Sequence, residues 1–472
     1  MNSRRDFLKG LGVAGAAAVT GGCASRGGFF DFGVGGSMYG FAAPKIPHIR
    51  IGVVGIGERG NGALKRLAVV PGVTIAAICD IQEKALAHGE RTLTNIGVKP
   101  LPKRYLGEFA WMDLCDSDEV DVIYNCTPWH LHAKIGVYAM EHGKHALIEV
   151  PSAMTLDECW ELVETAERTR MHCMQLENCC YGEDEMLALN MCRLGIFGRL
   201  VHAECGYIHE MRASLFTRRW ENWRGHWDIP HCGNQYPTHG LMPVCQYMNV
   251  NRGDRLDYLV SLESDQFSLE EYNKEAYKDW RRDVKISMGD MNSSLIKTAL
   301  GRSILVQHDI INPRPYTRIN LIQGTKGILR SYPLRIFLDA KDAKGSWDHK
   351  YDDEKTEVMR VLYRHPLWKK IGDIAQKVGG HGGMDYLMDY RWSYCMRHGL
   401  PLDMDVYDLA ATCAVCELSE RSVRSGSKPQ SFPDFTRGAW KTAKPLGIVD
   451  MDTEADFKDF KLPEPPKEEK KA

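Results

Sequence analysis

Two short patterns concentrate the residues able to do chemistry. The first is Gly55-x-Gly57-x-x-Gly60 within "HIRIGVVGIGERGNGALKRL", which reads as an apolar strand, a glycine turn and a helix. In that context the glycines let a backbone turn approach a pyrophosphate at a helix N-terminus. A second predicted strand, "VTIAAICD", ends in Asp80, at the fingerprint's spacing of about twenty residues beyond the last glycine. A carboxylate there binds the adenosine ribose hydroxyls and repels a 2′-phosphate, so the pair predicts NAD over NADP. The second pattern is "YPTHG", which carries His239. His239 is expected in the first turn of a helix, where the dipole disfavours imidazolium and leaves the ring a neutral base. The fifteen cysteines have no zinc spacing. Cys413 and Cys416, in an apolar helical stretch without a second pair, read as packed thiols, and no metal is expected.

These residues need a sheet to hold them. "VDVIYNCTPWHLHAKIGVYAMEHG" and "KHALIEVPSAMTLDECWELVETAE" each read as a strand followed by a helix, and "MHCMQLEN" as a further strand. Ligands of doubly wound sheets sit at the carboxyl ends of strands, so Thr127, Trp129, His132, Glu149 and Asn178 share one rim. Further on, "LVHAECGYIHEM", "RLDYLVSLES", "DVKISMGDMNSSLIKTAL", "RSILVQHDII" and "TRINLIQGTKGILRSY" alternate apolar and polar residues as strands do. "DYLMDYRWSYCMRHG" and "VYDLAATCAVCELSERSVRSG" read as amphipathic helices. The expected fold is α/β: a Rossmann dinucleotide-binding domain over 44–165, then an α+β domain over 166–440 with a large open, mostly antiparallel sheet. Residues 441–472 form a tail whose charged, proline-rich end is expected to be disordered.

Residues 1–43 read as an export signal and linker. Arg4-Arg5 precede Phe7-Leu8-Lys9 and an apolar run too short to span a bilayer permanently. This resembles a twin-arginine signal and predicts a periplasmic protein. Cys23 is a weak lipoprotein acceptor, because Thr20 stands where leucine is usual. A net charge of −2 and the lack of a long basic run argue against nucleic acid as a partner.

The run "TPWHLHAKIGVYAMEHGKHALIEVP" resembles the glucose–fructose oxidoreductase and inositol dehydrogenase superfamily. "GERG", "PWHLH", "EVP", "LENCCY", "WR" ahead of "YPTHG", and "RPY" are similar to one branch of it, glycoside hydrolase family 109, the NAD-dependent α-N-acetylgalactosaminidases. The likeness runs from the export signal to about residue 440. It implies NAD contacts from Glu58, Arg59, Asp80, Trp129, His130, Leu131, His132, Glu149, Val150, Asn178 and Tyr236. It implies substrate contacts from Tyr207, Arg224, Tyr236, Pro237, Thr238, His239 and Tyr316, and places Tyr181 near the sugar. Dehydrogenases of the superfamily usually carry Glu-Lys-Pro, with the lysine beside the nicotinamide; here the triplet is Glu149-Val150-Pro151. Gln235 likewise stands where they often have aspartate.

The implied reaction explains the missing lysine. Hydride leaves C3 of the sugar for NAD, and the ketone acidifies the C2 proton. Loss of that proton expels the C1 oxygen, water adds to the enone, and the hydride returns. Such glycosidases need no carboxylate pair. The catalytic candidates implied are His239, Tyr181, Tyr236 and Tyr316, with His239 moving the proton at the oxidised carbon and Tyr181 serving as the C2 base. NAD is expected to be bound tightly and recycled, the substrate to be an N-acetylgalactosamine-terminated glycan, and the protein to be a homo-oligomer. Two other readings remain: a periplasmic NAD-dependent sugar dehydrogenase using His239, and a carbohydrate-binding protein that retains NAD without turnover.

Overall fold

The computed structural model describes residues 36–217, 223–339, 350–445, 451, 453–458 and 462. The export signal, Cys23 and most of the tail beyond 445 lie outside the described residues. Among the described residues, six parallel strands form the first sheet: β1 (Ile49–Val54), β2 (Val73–Asp80), β3 (Lys103–Leu106), β4 (Val122–Asn125), β5 (His145–Ile148) and β6 (Cys173–Gln175). Their order is β3-β2-β1-β4-β5-β6, which reverses beside β1 and makes the crevice where such sheets bind dinucleotides. β4, β5 and β6 are buried along their whole length, as expected of parallel strands covered on both faces. The boundary expected at 165/166 needs correction. It falls inside the helix Leu156–Thr169, and β6 beyond it completes this sheet.

The second sheet is mixed: β7 (Leu200–Ile208), β8 (Leu256–Glu263), β9 (Asn292–Thr298), β10 (Ser303–Asp309), β11 (Leu321–Gly324), β12 (Gly327–Arg330), β13 (Arg335–Leu338) and β14 (Gln430–Ser431). The order is β13-β12-β11-β7-β10-β9-β8-β14, antiparallel throughout except for the β7–β10 pair. β9 alternates buried and more open residues, the pattern of a sheet covered on one face. That cover includes the helix Val406–Arg424, started by an Asp405/Asp408 capping box.

The helix Met384–His398 departs from its amphipathic expectation, because it is buried on every side from Met384 to Met396. Its charged residues Asp385, Asp389 and Arg391 end in ion pairs with Arg59, Arg66 and Asp403. The described cysteines are all free, and all but Cys126 and Cys192 are buried, so burial shields them from oxidative pairing. No helix among the described residues is long and apolar enough to cross a membrane.

Candidate active site

The glycine turn is built for close approach. Gly55 has φ +86°, and a Cβ there would lie 2.8 Å from the Cys126 carbonyl. A Cβ on Gly60 would lie 1.9 Å from Gly55 O. The helix Glu58–Leu67 begins after Gly57 with no side-chain cap, leaving its first N–H groups for an anion. Asp80 accepts from Ile56 N at 2.7 Å and Gln82 N at 2.8 Å. A carboxylate has further lone pairs for ribose hydroxyls. Burial raises the Asp80 pKa against these hydrogen bonds. The cradle fits a dinucleotide.

A charge network braces the rim above it. Arg59 donates to Glu149 at 2.6 Å and to Asp385 at 2.9 Å. Asp385 also receives Asn178 Nδ2 and faces His381 Nδ1 at 3.0 Å. Four residues along its helix, Asp389 accepts from Arg66 at 2.9 Å and Tyr124 at 3.0 Å. Burial would push Asp385 up, but Arg59, His381 and Arg66 outweigh it and hold the carboxyl far below its usual range. Glu149 and Asn178 therefore stand together at the rim with Arg59. Glu58 and His130 are exposed beside them, and Leu131 is half-buried. His132 is buried, its ring nitrogens 2.7 Å from Thr127 O and Pro151 O. It braces the loops that leave β4 and β5, and burial brings its pKa down to about 4 against those two carbonyls.

Next to this rim lies a box of aromatic rings. Trp129, Val150, Tyr207 and Tyr236 belong to one buried cluster, and Trp129 Nε1 donates to Val150 O at 3.1 Å. The Tyr207 and Tyr236 rings are 4.5 Å apart. The Arg224 guanidinium sits 4.6 Å from the Tyr236 ring and 5.0 Å from Trp129, within cation–π range. Its Nε reaches Asp228 at 3.3 Å, while its buried Nη2 has no partner among the described residues. The Tyr316 ring stands 6.3 Å from Tyr207, and its hydroxyl accepts from Arg318 at 3.0 Å. Gln235 is structural here, accepting from Trp227 Nε1 at 3.0 Å.

His239 enters this box on the first turn of the helix Thr238–Tyr247, after the buried Pro237 and Thr238. Its ring lies 4.9 Å from Tyr236 and 5.5 Å from Tyr207. The helix gets this close to β7 because Gly240 meets Gly206, where a Cβ on Gly240 would be 2.4 Å from a backbone nitrogen. The His239 Nδ1 is 2.7 Å from Glu177 Oε1. A carboxylate can only accept, so Nδ1 carries the hydrogen and Nε2 is left as the basic nitrogen. Glu177 is fully buried; burial pushes it up, but His239 leads the contacts that outweigh it and hold it ionised. Cys179 is a neighbour of the pair, its thiol pushed up by burial. Sequence reasoning missed Glu177, although the quoted "LENCCY" contains it.

Tyr181 is a correction. Its ring is buried in the core of the first sheet, and its hydroxyl donates to Asp403 at 3.0 Å. Asp403 is in turn held by Arg391. Burial raises the phenol's pKa well above its usual value. A phenol held protonated against Asp403 is not a free base. Of the four catalytic candidates, the structure brings Tyr236, Tyr316 and His239 together around Tyr207, and not Tyr181.

Val150 carries a prediction. Lysine there would put an ammonium among Trp129, Tyr207 and Tyr236, in a cluster that already holds Arg224, and a buried unpaired charge is costly. Val150→Lys is expected to slow glycoside cleavage, measured as initial rate on a chromogenic substrate; a faster rate would contradict this reading of the position.

A dinucleotide cradle whose rim opens onto an aromatic, polar box on a second, mostly antiparallel sheet defines a two-domain, NAD-binding oxidoreductase fold. Solved structures share it. Levoglucosan dehydrogenase in complex with NADH and L-sorbose aligns with a TM-score of 0.63 at 17% identity, covering 82% of this chain and 100% of that one. The WlbA dehydrogenase from Bordetella pertussis, in complex with NADH and UDP-GlcNAcA, aligns at 0.60 and 15% identity, covering 83% and 99%. Residues 49–176 match the model of the oxidoreductase family with NAD-binding Rossmann fold. Residues 181–442 match the C-terminal domain of glycosyl hydrolase 109, and 1–21 match a twin-arginine translocation signal. The glycosyl hydrolase family 109 protein 2 of Shewanella sp. (strain ANA-3) is 46% identical over 94% of this chain and 99% of its own length. A family 109 protein of Shewanella pealeana is 45% identical over 95% and 99%. The chain belongs to glycoside hydrolase family 109. It is a glycosidase on an NAD-binding oxidoreductase fold, exported by the twin-arginine route.

Proposed function

We propose that the chain hydrolyses terminal α-N-acetylgalactosaminides by transient oxidation of the sugar, elimination of the aglycone, addition of water and reduction. The observation that carries this is the His239–Glu177 pair in the aromatic box, beside a rim that has Val150 where a dehydrogenase has lysine. Bound NAD supplies the redox chemistry, as hydride acceptor and then donor within one turnover. Glu58, Arg59, Asp80, Glu149 and Asn178 at the rim would hold it.

The chain's own residues do the proton work. His239 Nε2 takes the proton of the C3 hydroxyl as that carbon is oxidised and returns it on reduction, with Glu177 fixing the ring. The C2 base is a residue other than Tyr181. A phenol with an ordinary pKa of about 10 needs a neighbouring cation to act as a base. Burial raises the Tyr316 pKa, and Arg318, bonded to its hydroxyl, pulls against that. The balance stays upward, so Tyr316 rests as the protonated phenol. Burial keeps Tyr236 protonated even with Arg224 near, which suits it to donate to the leaving C1 oxygen. Arg224 and Tyr207 orient the ring.

Because the hydride returns to the sugar it left, the cofactor has no reason to dissociate, and export of a folded protein lets it be loaded first. Purified protein is expected to contain about one NAD per chain without addition, to cleave a chromogenic α-N-acetylgalactosaminide, and to accumulate no free NADH at 340 nm. A dehydrogenase would build up NADH with each sugar added. An empty site needing millimolar NAD for every turnover would count against the recycling scheme.

A further inference from the structure

A second histidine repeats the arrangement of His239. His381 Nδ1 faces Asp385 Oδ2 at 3.0 Å, as His239 Nδ1 faces Glu177 Oε1 at 2.7 Å. Both carboxylates are buried. Asp385 is ionised, because Arg59, His381 and Arg66 outweigh its burial. It can only accept, so the hydrogen lies on Nδ1 of His381 and Nε2 keeps its lone pair. The His239 side chain is 13% exposed, but that of His381 is 61% exposed, which opens Nε2 to ligand and solvent alike.

An unusual turn presents this ring. Gly379, Gly380, Gly382 and Gly383 have φ between +72° and +104°, and His381 itself has φ +46°. A Cβ on Gly380 would lie 2.7 Å from the Asp385 Cβ, and one on Gly383 2.8 Å from the Ala375 backbone. Side chains at those two positions would push the turn off Asp385. A non-glycine residue in the left-handed region is held against its preference, and such strain gathers at functional sites. Asp385 does not need the imidazole, since it already pairs with Arg59 and Arg66 and accepts from Asn178. Arg59 and Asn178 belong to the rim, so one carboxylate ties His381 to the residues that would hold the cofactor. His381 and Tyr316 line one groove, and the Tyr316 ring stands 6.3 Å from Tyr207 in the box.

We propose that His381 is the C2 base. The inference rests on the glycosidase reading and supplies the one group that reading leaves unassigned. Once C3 is a ketone, Nε2 takes the C2 proton and the C–H electron pair becomes an enolate. Collapse of the enolate forms the C1–C2 double bond and breaks the C1–O bond, and Tyr236 protonates the leaving oxygen. Water then adds its hydroxyl to C1 and returns its proton to Tyr236, while the imidazolium gives a proton back to C2. Asp385 steadies the imidazolium in between. An exposed imidazolium exchanges with solvent, so the hydrogen returned to C2 carries the solvent's isotope.

The test uses the full-length, NAD-loaded protein, its His381→Gln and His381→Ala variants, and a chromogenic α-N-acetylgalactosaminide. The glutamine can keep the bond to Asp385 but cannot take a proton, and the exposed ring is not part of the core. Each variant is expected to lose about a hundredfold or more in kcat, the usual worth of an acid–base group. Oxidation at C3 does not need His381, so bound NADH should still form on mixing with substrate, and should build up because the next step stalls. In heavy water, sugar recovered from that mixture should keep its hydrogen at C2. A variant that cleaves within about threefold of wild type, or that still exchanges C2 at the wild-type rate, would overturn the proposal. So would a variant that no longer forms bound NADH, since His381 would then only brace the rim. Wild-type protein that neither cleaves nor forms NADH would sink the glycosidase reading, and the C2 base with it.

Discussion

With His239 replaced by alanine, hydrolysis is expected to fall by about a hundredfold or more, the usual loss when a positioned acid–base group is removed. The ring that faces Tyr236 and Tyr207 is the only histidine bonded to Glu177 among the described residues. Glu177→Gln should act on the same step through His239. The amide keeps the shape but loses the charge and can turn its NH₂ to Nδ1, which would reverse the tautomer. A fall in kcat of about tenfold or more is expected, with KM for the sugar little changed, because Glu177 orients a catalytic group. Steady-state kinetics on a chromogenic glycoside checks both. A folded Glu177→Gln enzyme with wild-type kcat would remove Glu177 from the account.

Asp385→Ala is expected to have the largest effect on stability. The carboxylate is 1% exposed and joins Arg59, Arg66, Asn178 and His381. Removing it leaves the buried Arg66 short of one of its two acidic partners and frees Arg59 from the helix Met384–His398. Breaking a buried ion pair by deleting one partner costs about 3–5 kcal/mol. Denaturant unfolding should show the loss as a lower midpoint. Because Arg59 also sets Glu149, bound NAD should be lost more readily on dilution. Unchanged stability and cofactor content would show that the network does not brace the rim.

Both predictions rest on contacts that differ in how far they could be read from the chain. The glycine turn, Asp80 and the strand-end rim were legible because they are local: strand, turn and helix follow one another in the chain. His239 was legible as a helix-start residue in "YPTHG". Its partner was not, since Glu177 follows the end of another strand, 62 residues earlier in the chain. Asp385 and Asp403 are further away still. They lie some two hundred residues along the chain from Asn178 and Tyr181, which bond to them, and no periodicity reveals such pairs. The same distance explains the error over Tyr181. The resemblance placed Tyr181 near the sugar, but it could not say that the side chain turns back to Asp403. The helix Met384–His398 was expected to be amphipathic, whereas its buried charges Asp385, Asp389 and Arg391 are each matched by an opposite charge from elsewhere in the fold.

The most direct test of the central claim, that C2 loses its proton during hydrolysis, follows deuterium. An α-N-acetylgalactosaminide is hydrolysed in heavy water by the NAD-loaded enzyme, and the released sugar is analysed at C2. The oxidation–elimination route predicts deuterium at C2, together with a rate penalty when the substrate is deuterated at C2 or C3. Complete retention of a C2 label, with no isotope effect at either carbon, would contradict it.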